Sequence, residues 1–363
     1  MYNNIIENAK TKPLCKDMDL IFNPITLKLV RQSMGESQKD FAEKVLQVKQ
    51  AVLSKYENGI IVPPDAVLDK LEHNTLFPRS FFFQDGTELP SGLVFHRKRN
   101  SLSSRIRERI EAEVRLRALD VLTLCKETGT KSDIIVRNGL SAQEMAIKLR
   151  QAWKLGNNPI DNMVSLLESH NIVILKFDFD TDKLDAFFMP LPSGIICIAL
   201  NSNTSFSADR QRFSLAHELG HALLHKEQVP DETLEKEADE FAAEFLFPVE
   251  EAQIELKQTL SFGLLKELKA KWKISMQAIL FKGHKLRLID ERTYKRYYIY
   301  FSSQGYRKNE PSCGVEDEKP SLLYSILRKY MQMHQDFIGC LNLSREKFKA
   351  RYPGINMEES EDV

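Results

Sequence analysis

The sequence predicts a multidomain α+β chain: an all-α N-terminal domain followed by an α+β domain with a small sheet. Three observations predict it. From 24 to 84, apolar residues recur at helical spacing in short units (Leu27, Val30; Phe41, Ala42, Val45; Val52, Leu53, Tyr56; Val67, Leu68, Leu71), the pattern of four or five short helices. Past 141, three apolar runs, Ile172 to Phe179, Ala186 to Met189 and Ile195 to Leu200, read as strands set among amphipathic helices. The length of 363 residues, 42% of them hydrophobic and 28% charged, suits two or three domains rather than one.

Taken in order, 1–23 is an N-terminal arm and 24–84 is the all-α domain. Breaks rich in Gly, Pro and polar residues fall at Asp85 to Gly92, Gly129 to Asp133 and Gln304 to Pro320. The connector, 93–140, carries eight basic side chains between 97 and 117, among them Arg97, Lys98, Arg99, Arg105, Arg109 and Arg117, against three acidic ones. Ile106, Ile110 and Val114 recur there every four residues, which makes it a basic amphipathic helix with a solvated charged face. The α+β domain spans 141–290. Helices are expected through Trp153, from Asp161 to His170, over about 208–226 and over 232–246, the last stopped by Pro248. The remaining 291–363 offers a strand-like Tyr297 to Phe301, a polar loop, a helix over about 321–335 and an acidic tail (Glu358, Glu359, Glu361, Asp362), with no chemistry of its own.

Fifty-one Lys and Arg balance fifty-one Asp and Glu, so affinity for nucleic acid has to come from a local patch. Apolar runs such as Ile195 to Leu200 are far too short to cross a bilayer, and no basic-then-apolar leader opens the chain. Five scattered cysteines (Cys15, Cys125, Cys197, Cys313, Cys340) without a CxxC pair point to a reducing cytoplasm.

The chemistry sits at His217-Glu218-Leu219-Gly220-His221, an HExxH motif inside an apolar-periodic helix. Two imidazoles four residues apart stand on one face, roughly 6 Å apart along the axis, close enough to grip one tetrahedral ion. Glu218 beside the first can reach the open position as general base. A catalytic Zn2+ wants a third protein ligand. The following helix offers Glu235 and, one turn on, Asp239, an acid able to hold the outer N–H of a ligand imidazole, which resembles the gluzincin peptidases in spacing. Glu237 competes with Glu235, but two residues turn a helical side chain by about 200°, so only one can face the metal. His225 extends the series 217, 221, 225 and is expected at the helix end or behind the ligands, since three collinear histidines cannot share one ion. Leu224 and Glu227 stand where a metzincin would need Gly and His.

The string from Arg210 to His221, with Glu235 to Pro248 downstream, Trp153 to Pro159 and the strand ending at Asn201, closely resembles the ImmA/IrrE family of zinc metallopeptidases over roughly 141–285. The resemblance implies a cytoplasmic protease that cleaves a helix-turn-helix repressor. Matched by position, it makes His217, His221 and Glu235 the zinc ligands and Glu218 the base. Phe247 stands where the family usually has Met, a packing position.

Likewise Gly35 to Gly59 resembles the helix-turn-helix of XRE-type regulators. Ser37 caps a helix, small Ala42 lets two helices cross closely, and Val48, Leu53 and Tyr56 face inward. Gln38, Lys49, Gln50, Ser54 and Lys55 then lie near the groove, where Gln can read adenine and Lys guanine or phosphate. Gln47 and Lys49 depart from the usual Gly and capping Ser or Thr. The expectation is a DNA-binding regulator carrying a zinc endopeptidase, its partners an operator and a protein substrate, a helix-turn-helix repressor that is another protein or the chain itself, with a homodimer as its assembly and no membrane. The competing expectation is a non-catalytic repressor or antitoxin whose peptidase-like domain senses or merely supports.

Overall fold

A three-stranded sheet divides the interior into two cores. In this computed structural model, residues 21–83, 102–134, 139–203, 205–225, 232–355 and 357 are described. The expectations for the arm up to residue 20, for Asp85 to Gly92, for Arg97, Lys98 and Arg99, and for the acidic tail lie outside them. Strands β1 (Val173–Phe177), β2 (Ala186–Pro190) and β3 (Ile196–Asn201) lie in the order β1-β3-β2. β1 pairs parallel to β3, Val173 opposite Cys197, and β2 pairs antiparallel, Phe188 opposite Ile198. Side chains alternate across a strand. Val173, Leu175, Phe187, Met189, Cys197 and Ala199 therefore enter one core, and Ile174, Ala186, Phe188, Ile198 and Leu200 the other. With both faces covered, the strands read as unbroken apolar runs.

The first core gathers α1 (Pro24–Ser33), α2 (Gln38–Asp40, continued by a π-helical stretch over Phe41–Leu46), α3 (Gln50–Glu57), α4 (Asp65–Thr75) and the long α5 (Ser104–Thr128). Local signals set these ends. Asn23 caps α1 with Pro24 in its first turn, Ser37 accepts from the Asp40 N–H, and Gly129, at positive φ, closes α5. The second core is built by α6 (Ala142–Ala152), α7 (Met163–Ser169), α8 (Ala208–Leu224), α9 (Glu232–Leu246), α10 (Val249–Glu255), α11 (Phe262–Trp272), α12 (Met276–Lys285) and α13 (Glu291–Ser303). The chain then returns to the first core with α14 (Leu322–Met333), α15 (Phe337–Cys340) and α16 (Arg345–Arg351).

Two expectations change. Tyr297 to Phe301 is helical, inside α13. Its run of Tyr, Ile and Phe favours strands locally, but Tyr294, Tyr297, Tyr298 and Phe301 recur at three and four residues and pack together on the second core, and Asp290 caps the start by accepting from the Thr293 N–H. In the described part of the basic connector, Arg105 is exposed as expected, whereas Arg107, Arg109, Arg115 and Arg117 are half-buried rather than solvated. Eleven of the 25 residues of α5 are buried, and three of its arginines tie it to neighbouring elements. Arg105 donates to the Gly35 carbonyl at 2.6 Å, Arg109 donates to the Phe179 carbonyl at 2.6 Å, and Arg117 lies over the Phe177 ring at 4.6 Å. One helix thus joins the turn after α1 to the end of the sheet.

Candidate metal centre

α8 carries the HExxH residues and α9 the acids. Leu215, Ala216, Leu219, Ala222 and Leu223 drive α8 into the second core, which draws His217, Glu218 and His221 inside with them. α9 packs across it through Ala238, Phe241, Ala242 and Phe245. Gly220 makes the close crossing possible: a Cβ there would meet Phe241 Cδ1 at 3.0 Å and the Ala238 backbone at 3.3 Å. Gly220→Ala is therefore expected to destabilise the fold by about 1–3 kcal/mol through overpacking. It is also expected to weaken metal uptake, because Glu235 sits one turn from Ala238. Thermal melts and metal titration of the same variant check both effects, and an unchanged melting point would contradict the close-packing argument.

Among the described residues, His217, His221 and Glu235 bring one ligand atom each to within 4.8 Å of one another. The Nε2 atoms of the two imidazoles lie 3.0 Å apart, and Glu235 reaches them at 3.6 and 3.4 Å. Each Nδ1 is turned outward. His217 Nδ1 donates to Asp239 Oδ1 at 2.9 Å, and His221 Nδ1 meets His225 Nδ1 at 3.0 Å. A neutral ring protonated at Nδ1 presents its Nε2 lone pair, so the inward donor set is two nitrogens and a carboxylate, which suits Zn2+ with one position left for chemistry. Burial alone would lower the His217 imidazole, but the Asp239 hydrogen bond and the charges of Glu218, Asp239 and Glu235 raise it above the ordinary value. Metal binding needs the neutral ring, so uptake there competes with protonation of His217.

Glu218 is buried beside His217 and accepts from the Phe188 N–H of β2 at 2.8 Å. Burial pushes its carboxyl up to about 7, partly offset by His217 and the Phe188 hydrogen bond. That is the range in which a carboxylate serves best as a base.

Other expected residues fall as follows. Glu237 is turned away from Glu235, and its Oε2 meets His225 Nε2 at 2.8 Å. Of the two arginines at the start of α8, Arg212 is buried against Glu318 and the Ile160 carbonyl, and Arg210 is held bidentate by Asp185. Phe247 is fully buried and packs on Trp272 at 4.6 Å.

In the N-terminal segment, Gln47 adopts the left-handed conformation (φ 56°) that glycine takes more cheaply, and Lys49 stands at the start of α3 with no side-chain capping bond. Lys49, Gln50 and Lys55 are exposed. Ser54 is half-buried, with its hydroxyl 3.3 Å from the Asn58 amide, and Gln38 donates to Glu57 at 2.8 Å. Glu57 also holds the buried Arg31, an ion pair that fixes α1 against α3 and that the periodicity of the sequence could not announce.

A helix-turn-helix segment followed by an α+β domain with paired histidines on one helix and an acid on the next defines a regulator joined to a metallopeptidase domain. Family models agree: residues 27–74 match the helix-turn-helix model, and residues 167–283 match the peptidase model described as the IrrE N-terminal-like domain. The chain thus fuses an XRE-type helix-turn-helix to an ImmA/IrrE-like peptidase domain. No curated protein matches it. Among the described residues no helix is long and apolar enough to cross a membrane.

Proposed function

We propose that the chain is a cytoplasmic DNA-binding transcription regulator whose peptidase domain is a zinc-dependent endopeptidase, and that its substrate is a helix-turn-helix repressor, another protein or the chain itself. The observation that carries the reading is the convergence of His217, His221 and Glu235 with Glu218 beside them. Bound there, zinc would supply Lewis acidity to the scissile carbonyl and to water. The chain's own residues do the rest. Asp239 orients the His217 ring. Glu218, steadied by the Phe188 N–H, takes the proton of the attacking water and passes it to the leaving amine. An extended peptide lies along the outer edge of β2, the edge strand that carries Phe188.

The N-terminal segment supplies the address. Gln50 and Lys55, exposed on α3, are the side chains placed to reach base edges and phosphate. Gln50→Ala is expected to cost about 1–3 kcal/mol of operator affinity and to relax preference at one base pair, whereas Lys55→Ala weakens all sequences alike. Band-shift titrations on a selected operator and on scrambled DNA check this; equal losses on both for Gln50→Ala would remove it from base reading.

Purified full-length protein, assayed for metal content and for cleavage of helix-turn-helix repressors from the same cell and of itself, tests the whole reading against Glu218→Gln. A protein that takes up no zinc and cuts none of these would leave a non-catalytic regulator as the better account.

A further inference from the structure

The two histidines of the motif are supported differently. His217 leans on a carboxylate directly, through Asp239 at 2.9 Å. His221 leans on another histidine: its Nδ1 is 3.0 Å from His225 Nδ1, and His225 Nε2 is 2.8 Å from Glu237 Oε2. We infer that His225 and Glu237 form a hydrogen-bonded relay that fixes the tautomer of His221 and thereby sets the affinity of the site for its metal. The inference rests on the reading of His217, His221 and Glu235 as zinc ligands.

Proton bookkeeping gives the relay its direction. Ionised Glu237 only accepts, so His225 Nε2 carries a hydrogen and donates it. A neutral His225 then presents Nδ1 as an acceptor, and the hydrogen in the 3.0 Å contact belongs to His221 Nδ1. His221 is left with its lone pair on Nε2, the atom facing His217 and Glu235. Reversing the tautomer of His225 would leave two Nδ1–H groups facing each other.

Burial makes the arrangement matter. His221 is 0% and His225 2% exposed, so the protein rather than water decides which nitrogen holds the proton. Glu237 is half-exposed, with its side chain 46% accessible, so its charge stays largely solvated while its oxygen orders the buried pair. His225 itself is no ligand candidate. Its Nδ1 faces the outer side of His221, its Nε2 is taken by Glu237, and it joins no cluster of three candidate ligands among the described residues. The relay also assigns work to Glu237, which the helical geometry of α9 turns away from Glu235 and toward the end of α8.

His225 and Glu237 are positioning residues, and their test reads metal affinity rather than turnover. Full-length protein is stripped with a chelator and titrated with zinc against a chromophoric competitor; cobalt(II) absorption reports the number of ligands. His225→Phe, which fills the space but makes no hydrogen bond, is expected to weaken zinc binding about 10–100-fold. His225→Gln, whose amide can accept from His221 and donate to Glu237, is expected to recover most of that loss. Glu237→Ala is expected to lose less than His225→Phe, and the double variant His225→Phe with Glu237→Ala to bind like His225→Phe alone, since Glu237 acts only through His225. The cobalt band intensities are expected to stay those of the wild type throughout. Additive losses, a His225→Gln variant no better than His225→Phe, wild-type affinity in His225→Phe, or a changed cobalt ligand count would each overturn the relay. If the wild-type chain binds neither zinc nor cobalt, the metal site itself fails and the relay with it; wild-type binding beside unaffected variants overturns the relay alone.

Discussion

In Glu218→Gln, cleavage of any substrate is expected to fall about 10²–10⁴-fold while zinc uptake stays at the wild-type level. The asymmetry follows from placement. Glu218 makes its hydrogen bond to the Phe188 N–H rather than joining the three converging ligand atoms, so replacing its carboxylate leaves the donor set whole and removes only the group that accepts a proton. Glutamine fills the same volume, and its amide oxygen can still accept from Phe188. A stability signature accompanies the loss. Burial raises the Glu218 carboxyl from the ordinary glutamate value of 4.5 to about 7, so in chelator-treated protein the charged form is a penalty that is absent below about pH 4.5, grows toward pH 7 and is constant above it. The amide carries no such penalty. The melting temperature of metal-free Glu218→Gln relative to wild type is therefore expected to climb between pH 4.5 and 7 and then level off. Parallel curves would show that Glu218 is not desolvated in the folded chain, and metal loss equal to that of His217→Ala would make Glu218 a ligand instead of a base.

The parts legible in the sequence are those that local pattern decides. Apolar runs marked the three strands because the sheet is covered on both faces, and the i, i+4 spacing of His217 and His221 marked two imidazoles that meet at 3.0 Å because a helix turns that spacing into a shared face. What stayed hidden is long-range and polar. Glu310 and Glu318 belong to a loop with no periodicity, yet Glu310 pairs with the buried Lys269 and accepts from the N–H groups of Met276 and Gln277, while Glu318 pairs with the buried Arg212. Arg351, near the end of the chain, meets Asp120 in the middle of α5 at 2.6 Å. Single acids and bases 41, 106 and 231 residues apart leave no period to read. The arginine ties of α5 are invisible for a related reason: a basic stripe has the same appearance whether it faces water or the carbonyls of a neighbouring element. α13 was concealed by the strand propensity of its aromatic residues, which tertiary packing overrode.

Glu235→Gln is expected to cost more in zinc affinity than the roughly 10–100-fold typical of losing a residue behind a ligand, and Glu237→Gln next to nothing. The sequence already favours Glu235, which shares a helical face with Asp239 while Glu237 lies about 200° round the helix. In the fold, Glu235 approaches both inward imidazole nitrogens, at 3.4 and 3.6 Å, whereas Glu237 reaches only His225. A neutral amide at 235 keeps an oxygen for the metal but withdraws the negative charge that compensates a divalent ion in a buried site, and charge is the larger part of what a carboxylate contributes there. At 237 the amide oxygen still accepts from His225 Nε2, so the support behind His221 persists and only a half-exposed charge is lost. Zinc competition titrations on the two variants read the difference directly. Glu235→Gln binding as tightly as Glu237→Gln would mean that the carboxylate at 235 serves the histidines as a hydrogen-bond partner and not the metal; the reverse order would move the third ligand to Glu237 and leave His225 without its acceptor, reassigning both ends of the site at once.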